Sequence, residues 1–135
     1  MNYWLVKTEP EAYSWLDMQR DGVTRWDGVR NFAARNNLKA MQTDDLVMVY
    51  HSITDKAVIG YAKVVKEHYP DPTIDDERWV AVDMSAVHQL DKPVTLTQIK
   101  AEPRLEKMQL LKIGRLSVSP LTKEEFDVLV EMGTA

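Results

Sequence analysis

Eleven consecutive residues, Trp26-Asp27-Gly28-Val29-Arg30-Asn31-Phe32-Ala33-Ala34-Arg35-Asn36, hold the mixture of side chains in this chain best suited to chemistry. An indole stands beside an Asp-Gly turn dipeptide, and two arginines and two asparagines follow. Glycine accepts backbone angles that a side chain forbids, so Trp26 is expected at or next to a loop. An indole there, beside amides and positive charge, suits a flat, anionic or base-like ligand. The ring could stack on a base for about 1–3 kcal/mol. Asn31 offers a base edge both a donor and an acceptor, and Arg35 or Arg115 could take a phosphate. Lys7, Thr8 and Ser52, polar groups at strand ends, could line the pocket mouth. The plainer reading makes Trp26 a loop anchor, Asn31 a helix cap, Thr8 and Ser52 strand terminators and Arg115 a surface charge.

Other chemistries find less in the sequence. His51, His68 and His88 are far apart and lack ligand spacing, and cysteine is absent, so neither a metal site nor a disulfide is expected. His51 and Ser52 are neighbours, but successive strand residues face opposite ways, so they could not act as base and nucleophile. No Gly-x-Ser-x-Gly elbow and no glycine-rich phosphate loop occurs, and no cofactor is expected. Glu9 and Glu11 flank Pro10; Glu9 is the candidate general acid or base if the chain were an enzyme on a nucleobase, but no second group is placed against it. A non-enzymatic binding module is therefore expected.

The elements that must position these groups are legible in outline. The 135 residues carry a net charge of −4, 44% hydrophobic residues and no long apolar run, which fits one globular domain over residues 1–135 without a membrane span. The start lacks a secretory pattern, so a cytoplasmic protein is expected, or a nuclear one in a nucleated cell, with a monomer as the default. The net charge argues against broad phosphate binding, yet Arg25, Arg30, Arg35 and Lys39 form a local basic stretch, answered by the acidic run Asp71, Asp75, Asp76 and Glu77. Strands are predicted over Tyr3–Lys7, Leu46–His51, Ala57–Glu67, Trp79–Leu90 and Leu116–Val118. Gly60 inside the third suggests a bulge or a close backbone approach. Helices are predicted from Ser14 to Met18 with Gly22 as the stop, from Arg30 to Met41, after the Thr95/Gln98 capping box, at Glu102-Pro103, and from Thr122 to Met132 with Gly133 beyond. Regular βαβ crossovers are missing, so the class is α+β: a curved, mostly antiparallel, partly closed barrel decorated by short helices.

Five segments in register resemble the EVE domain: Tyr3-Trp4-Leu5-Val6-Lys7-Thr8-Glu9-Pro10, the Trp26–Asn36 stretch, Val49-Tyr50-His51-Ser52, Tyr69-Pro70-Asp71-Pro72 with Arg78-Trp79-Val80-Ala81-Val82-Asp83, and Gly114-Arg115-Leu116-Ser117-Val118-Ser119-Pro120. The resemblance implies a PUA-like pseudo-barrel related to YTH domains. It also implies a pocket for one modified nucleobase, such as 5-methyl- or 5-hydroxymethylcytosine, flipped from DNA or RNA. Carried over by position, the lining would be Lys7, Thr8, Glu9, Trp26, Val29, Arg30, Asn31, Tyr50, His51, Ser52, Arg115, Leu116 and Ser117. Thr8 stands where the family is expected to have Ser, and Phe32 where Tyr is common. Any effector would come from a separate partner protein. The alternatives are a module for a nucleoside-like metabolite or for a protein.

Overall fold

The computed structural model describes all 135 residues. Its centre is one six-stranded sheet of β1 (Tyr3–Thr8), β2 (Val23–Trp26), β3 (Leu46–His51), β4 (Ala57–Pro70), β5 (Val80–Thr95) and β6 (Val118–Leu121), in the spatial order β2-β5-β4-β3-β1-β6. All neighbours are antiparallel except β1 and β3, which run parallel from Tyr3↔Leu46 to Thr8↔His51. The long β4–β5 ribbon breaks register at four places, and each irregularity bends and twists it. The sheet is thus the curved, mostly antiparallel one expected. It remains open, with β2 and β6 as its edges.

The alternation of side chains along the strands builds two cores. Trp4 and Val6 of β1 and Val47 and Val49 of β3 join Trp15, Trp26, Leu38, Val82 and Met84 on one face. Leu5, Met48 and Tyr50 join Ile99, Leu105, Met108, Phe126 and Leu129 on the other. Being covered on both sides, β3 reads as a continuous apolar run.

Helices α1 (Trp15–Asp21), α2 (Phe32–Ala40), α3 (Leu96–Ala101), α4 (Gln109–Lys112) and α5 (Lys123–Met132), with a 3₁₀ turn at Pro103–Leu105, surround the sheet. Three start in complete capping boxes, Ser14 with Asp17, Thr95 with Gln98 and Thr122 with Glu125; each box satisfies two otherwise unpaired N–H groups. Gly60 lies where its strand meets α1: a Cβ there would sit 2.7 Å from the Trp15 ring and 2.7 Å from the His88 carbonyl oxygen. None of the helices is long and apolar enough to cross a membrane.

Several boundaries differ from expectation. The four-residue β2 was not predicted; its burial alternates, with Thr24 and Trp26 inward, but it is too short for a periodic signal. The last strand begins at Val118, not Leu116, because Leu116 closes a tight turn through its N–H to the Ile113 carbonyl, 3.1 Å away. Strands β4 and β5 outrun their predicted ends at Glu67 and Leu90 by hydrogen-bonding to each other beyond the apolar stretch.

Candidate functional site

A cleft of about 660 Å³ opens where the end of β1, the Ala12–Tyr13 turn, β2 with its following loop, and Ser117 converge. Of the residues singled out in the sequence, Lys7, Thr8, Glu9, Trp26, Val29, Arg30, Asn31 and Ser117 line it together. Its volume falls within the range of small-molecule pockets.

One wall is the Trp26–Asn31 loop, and Asp71 holds it in shape. The Asp71 side chain is fully buried. Its Oδ2 accepts the Gly28 N–H at 3.0 Å and an Arg30 guanidinium N–H at 2.9 Å. Its Oδ1 accepts the Thr73 N–H at 2.8 Å and the Thr73 hydroxyl at 2.6 Å. Burial pushes the Asp71 carboxyl up, but the donors from Thr73, Gly28 and Arg30 outweigh it and hold it well below the usual carboxylate range. Gly28 has φ +76°, the left-handed conformation that favours glycine. Arg30 continues to the Thr73 hydroxyl at 3.2 Å and lies over the Trp79 ring, 5.7 Å from its centroid. Asn31, which lines the cleft, spends its Oδ1 on the Ala34 N–H, 2.9 Å away, as the cap of α2, and its amide N–H₂ bonds no other protein group.

The opposite wall hangs from Tyr13. The Thr8 hydroxyl donates to the Tyr13 carbonyl at 2.7 Å. The Tyr13 hydroxyl donates to Asp21 at 2.7 Å and lies 2.7 Å from the Thr24 hydroxyl; burial chiefly pushes this phenol up. The Tyr13 ring meets Trp26 edge-on, 6.4 Å between centroids at 80°. Trp26 itself is 9% exposed, so it is both a core residue and part of the lining. The Lys7 ammonium donates to the Gly114 carbonyl at 2.6 Å, and partial burial lowers its pKa.

Six expected residues fall outside the lining. Tyr50 points to the opposite core, by the alternation of β3. His51 is buried and accepts the Trp15 N–H on Nε2 at 3.0 Å; a backbone amide can only donate, so Nδ1 carries the proton and donates to Asp55 at 2.8 Å. Ser52 ties its loop to β1 through its N–H to the Thr8 carbonyl, 2.9 Å. Leu116 is in the core, and Arg115 is exposed beyond Ser117. Arg35 lies over the Phe32 ring at 5.0 Å and donates to the Arg78 carbonyl at 3.2 Å. Tyr13 and Thr24 line the cleft although the sequence does not single them out, and Asp71, which the sequence shows as part of an acidic run and of a segment resembling the EVE domain, is the buried support of its wall. The Asp71-Pro72-Thr73 sequence carried a usable signal, since an Asp side chain commonly accepts the N–H two residues on.

An indole and apolar contacts from Val29 and Ala12 sit beside the Glu9 carboxylate, the Asn31 amide, the Ser117 hydroxyl and the Lys7 ammonium. No group of three His, Asp or Glu side chains is gathered as a metal would require.

Comparison with known proteins places the whole chain. The EVE domain model matches residues 2–132. Mouse thymocyte nuclear protein 1 is 35% identical over 165 residues, spanning 97% of this chain and 73% of that protein. A crystal structure of a protein from Agrobacterium tumefaciens superposes with TM-score 0.97 at 43% identity, over 98% of this chain and 93% of the other. The human THYN1 protein, solved in complex with DNA containing 5-methylcytosine, superposes with TM-score 0.94 at 31% identity, over 100% and 99% of the two chains.

Proposed function

This chain belongs to the EVE domain family, and we propose that it is a non-enzymatic reader of DNA bearing a modified base. The observation that carries the proposal is the human relative's complex with 5-methylcytosine DNA, taken together with a cleft of ligand-pocket volume in the same fold. The base leaves the helix and enters beside Trp26, because a modification cannot be enclosed while the base stays stacked. Cytosine presents an exocyclic amine and ring acceptors on its pairing edge. Glu9 accepts from the amine, while the Asn31 amide, Ser117 hydroxyl and Lys7 ammonium donate to the ring nitrogen and carbonyl. The 5-substituent meets Val29 and the indole. Arg35 and Arg115, outside the cleft, meet phosphates of the strand. A net acidic chain suits this division, since base contacts specify and few phosphates are touched.

The test is fluorescence anisotropy at several salt concentrations. The probes are duplex and single-stranded oligonucleotides, DNA and RNA, carrying cytosine, 5-methylcytosine, 5-hydroxymethylcytosine or N6-methyladenine. Selective binding of one modification is expected, with a log–log salt slope of about −2 to −3. Equal affinity for all probes with a steep slope refutes the reading. Competition by free nucleoside but by no oligonucleotide would replace it with metabolite binding. Conversion of the base, followed by mass spectrometry and dependent on Glu9, would replace it with catalysis.

A further inference from the structure

The turn Ile113-Gly114-Arg115-Leu116 is unused by the cleft yet fastened to its edge. Lys7, which lines the cleft, holds the Gly114 carbonyl at 2.6 Å, and the Lys7 N–H bonds the Ser117 carbonyl at 2.9 Å. The Leu116 N–H closes the turn on Ile113, and the Leu116 side chain anchors it in the core. At the tip the pattern is inverted: Ile113 is 47% exposed although fully apolar. Lys112 and Arg115 flank it, are exposed, and enter no ion pair with a carboxylate. An aliphatic side chain on a turn fastened to the edge of the cleft, between two unneutralised cations, matches a particular need. A duplex that gives up a base has a gap in its stack and two phosphates astride the gap. Apolar side chains commonly enter such base steps, and unstacking costs a few kcal/mol per step.

We infer that Ile113 enters the duplex in place of the extracted base, with Lys112 and Arg115 holding the phosphates on either side. The inference rests on the base-reading function proposed above. It concerns duplex DNA, and it makes the turn dispensable for a base that is already free. The experiment compares the wild-type chain with Ile113→Ala and with Lys112→Ala/Arg115→Ala. Each is titrated against a 5-methylcytosine duplex, the same duplex with a mismatch opposite the modified base, and the single strand. A 2-aminopurine beside the opposing base reports unstacking. Ile113→Ala is expected to weaken binding to the paired duplex about tenfold, and less to the mismatch, where extraction is cheaper. It should leave single-strand binding unchanged and abolish the 2-aminopurine change. The double variant should lower affinity for paired duplex and reduce the salt slope by about 2. Circular dichroism checks the fold. If the wild type binds modified duplex and Ile113→Ala binds it equally, the inference falls while the reader function stands. If the wild type binds the modified single strand but no modified duplex, the inference falls and the reader function stands; if it binds neither, both fall.

Discussion

Replacing Asp71 with Asn tests whether one buried carboxylate shapes the cleft wall. The change preserves size but turns one of two acceptor oxygens into an N–H₂ group. Both oxygens are in use, one by Gly28 and Arg30 and the other by Thr73 twice. Whichever way the amide turns, it aims its own hydrogens at two groups that donate to the wild-type carboxylate, whose own side chain is fully buried. A buried group left unsatisfied costs about 1–3 kcal/mol, and breaking a buried ion pair about 3–5 kcal/mol. The Arg30 side chain is 36% exposed, so solvent screens that part of the loss, and the expected cost is about 2–3 kcal/mol. For a chain of this size that lowers Tm by roughly 10 °C. The pH dependence separates this from a packing defect. The folded Asp71 carboxyl lies well below its ordinary value, so its stabilisation is complete above the unfolded value near pH 4 and declines as pH falls through the interval to the folded value. Urea denaturation of both proteins should show a gap at pH 6 that is about 1 kcal/mol smaller at pH 3. A gap below about 1 kcal/mol at pH 6, or one that holds constant or widens in acid, refutes the reasoning.

Two further outcomes follow from packing. Gly60→Ala places a methyl against the Trp15 ring and an immovable His88 carbonyl, which should cost about 1–3 kcal/mol and alter the near-ultraviolet dichroism of the tryptophans; an unchanged melting curve would mean that α1 sits off the sheet there. Trp26→Ala should cost about 3–5 kcal/mol of stability because the indole is a core residue, so Trp26→Phe is the informative variant for binding: a loss of up to about tenfold in affinity for the modified oligonucleotide places the ring in contact, and an unaltered affinity removes it.

How much of this was readable in the chain depends on the range of the interaction. Ser14 with Asp17, Thr95 with Gln98 and Thr122 with Glu125 bond within one helical turn, a range over which spacing alone predicts helix starts at Ser14, Thr95 and Thr122. The loop after Trp26 was readable for the same reason, since Asp-Gly specifies its own turn. Placement is illegible where the partner is remote in sequence. Asp71 reaches back 43 residues to Gly28. Tyr50 and His51 look alike to a periodicity argument because β3 is buried on both faces; only its pairing decides that Tyr50 faces away from the cleft and that His51 serves the Trp15 amide. The β2 strand acquires its identity from β5, with Trp26 opposite Val82.

The same topology explains why a cleft exists at all. A closed barrel would join β2 to β6 by backbone hydrogen bonds and fill the space between them. Here α2 takes that role in part: it packs against both β5 and β6, and the Asn37 amide donates to the Val118 carbonyl of β6 at 2.7 Å. A helix satisfies its own backbone groups and so need not line the whole seam. What it leaves uncovered is bounded by Thr24 and Trp26 from one edge strand, Ser117 at the entrance to the other, the end of β1 next to it, and Asn31 at the start of α2. The polar side chains in that opening come from strand ends, from the short β2, from a helix cap and from a loop, and the sheet ladders engage only the backbone groups of the strand residues among them. The Glu9 carboxylate and the Asn31 amide N–H₂ bond no other protein group, while Asp71 fixes the Gly28–Arg30 loop and Tyr13 ties Thr8 to Thr24.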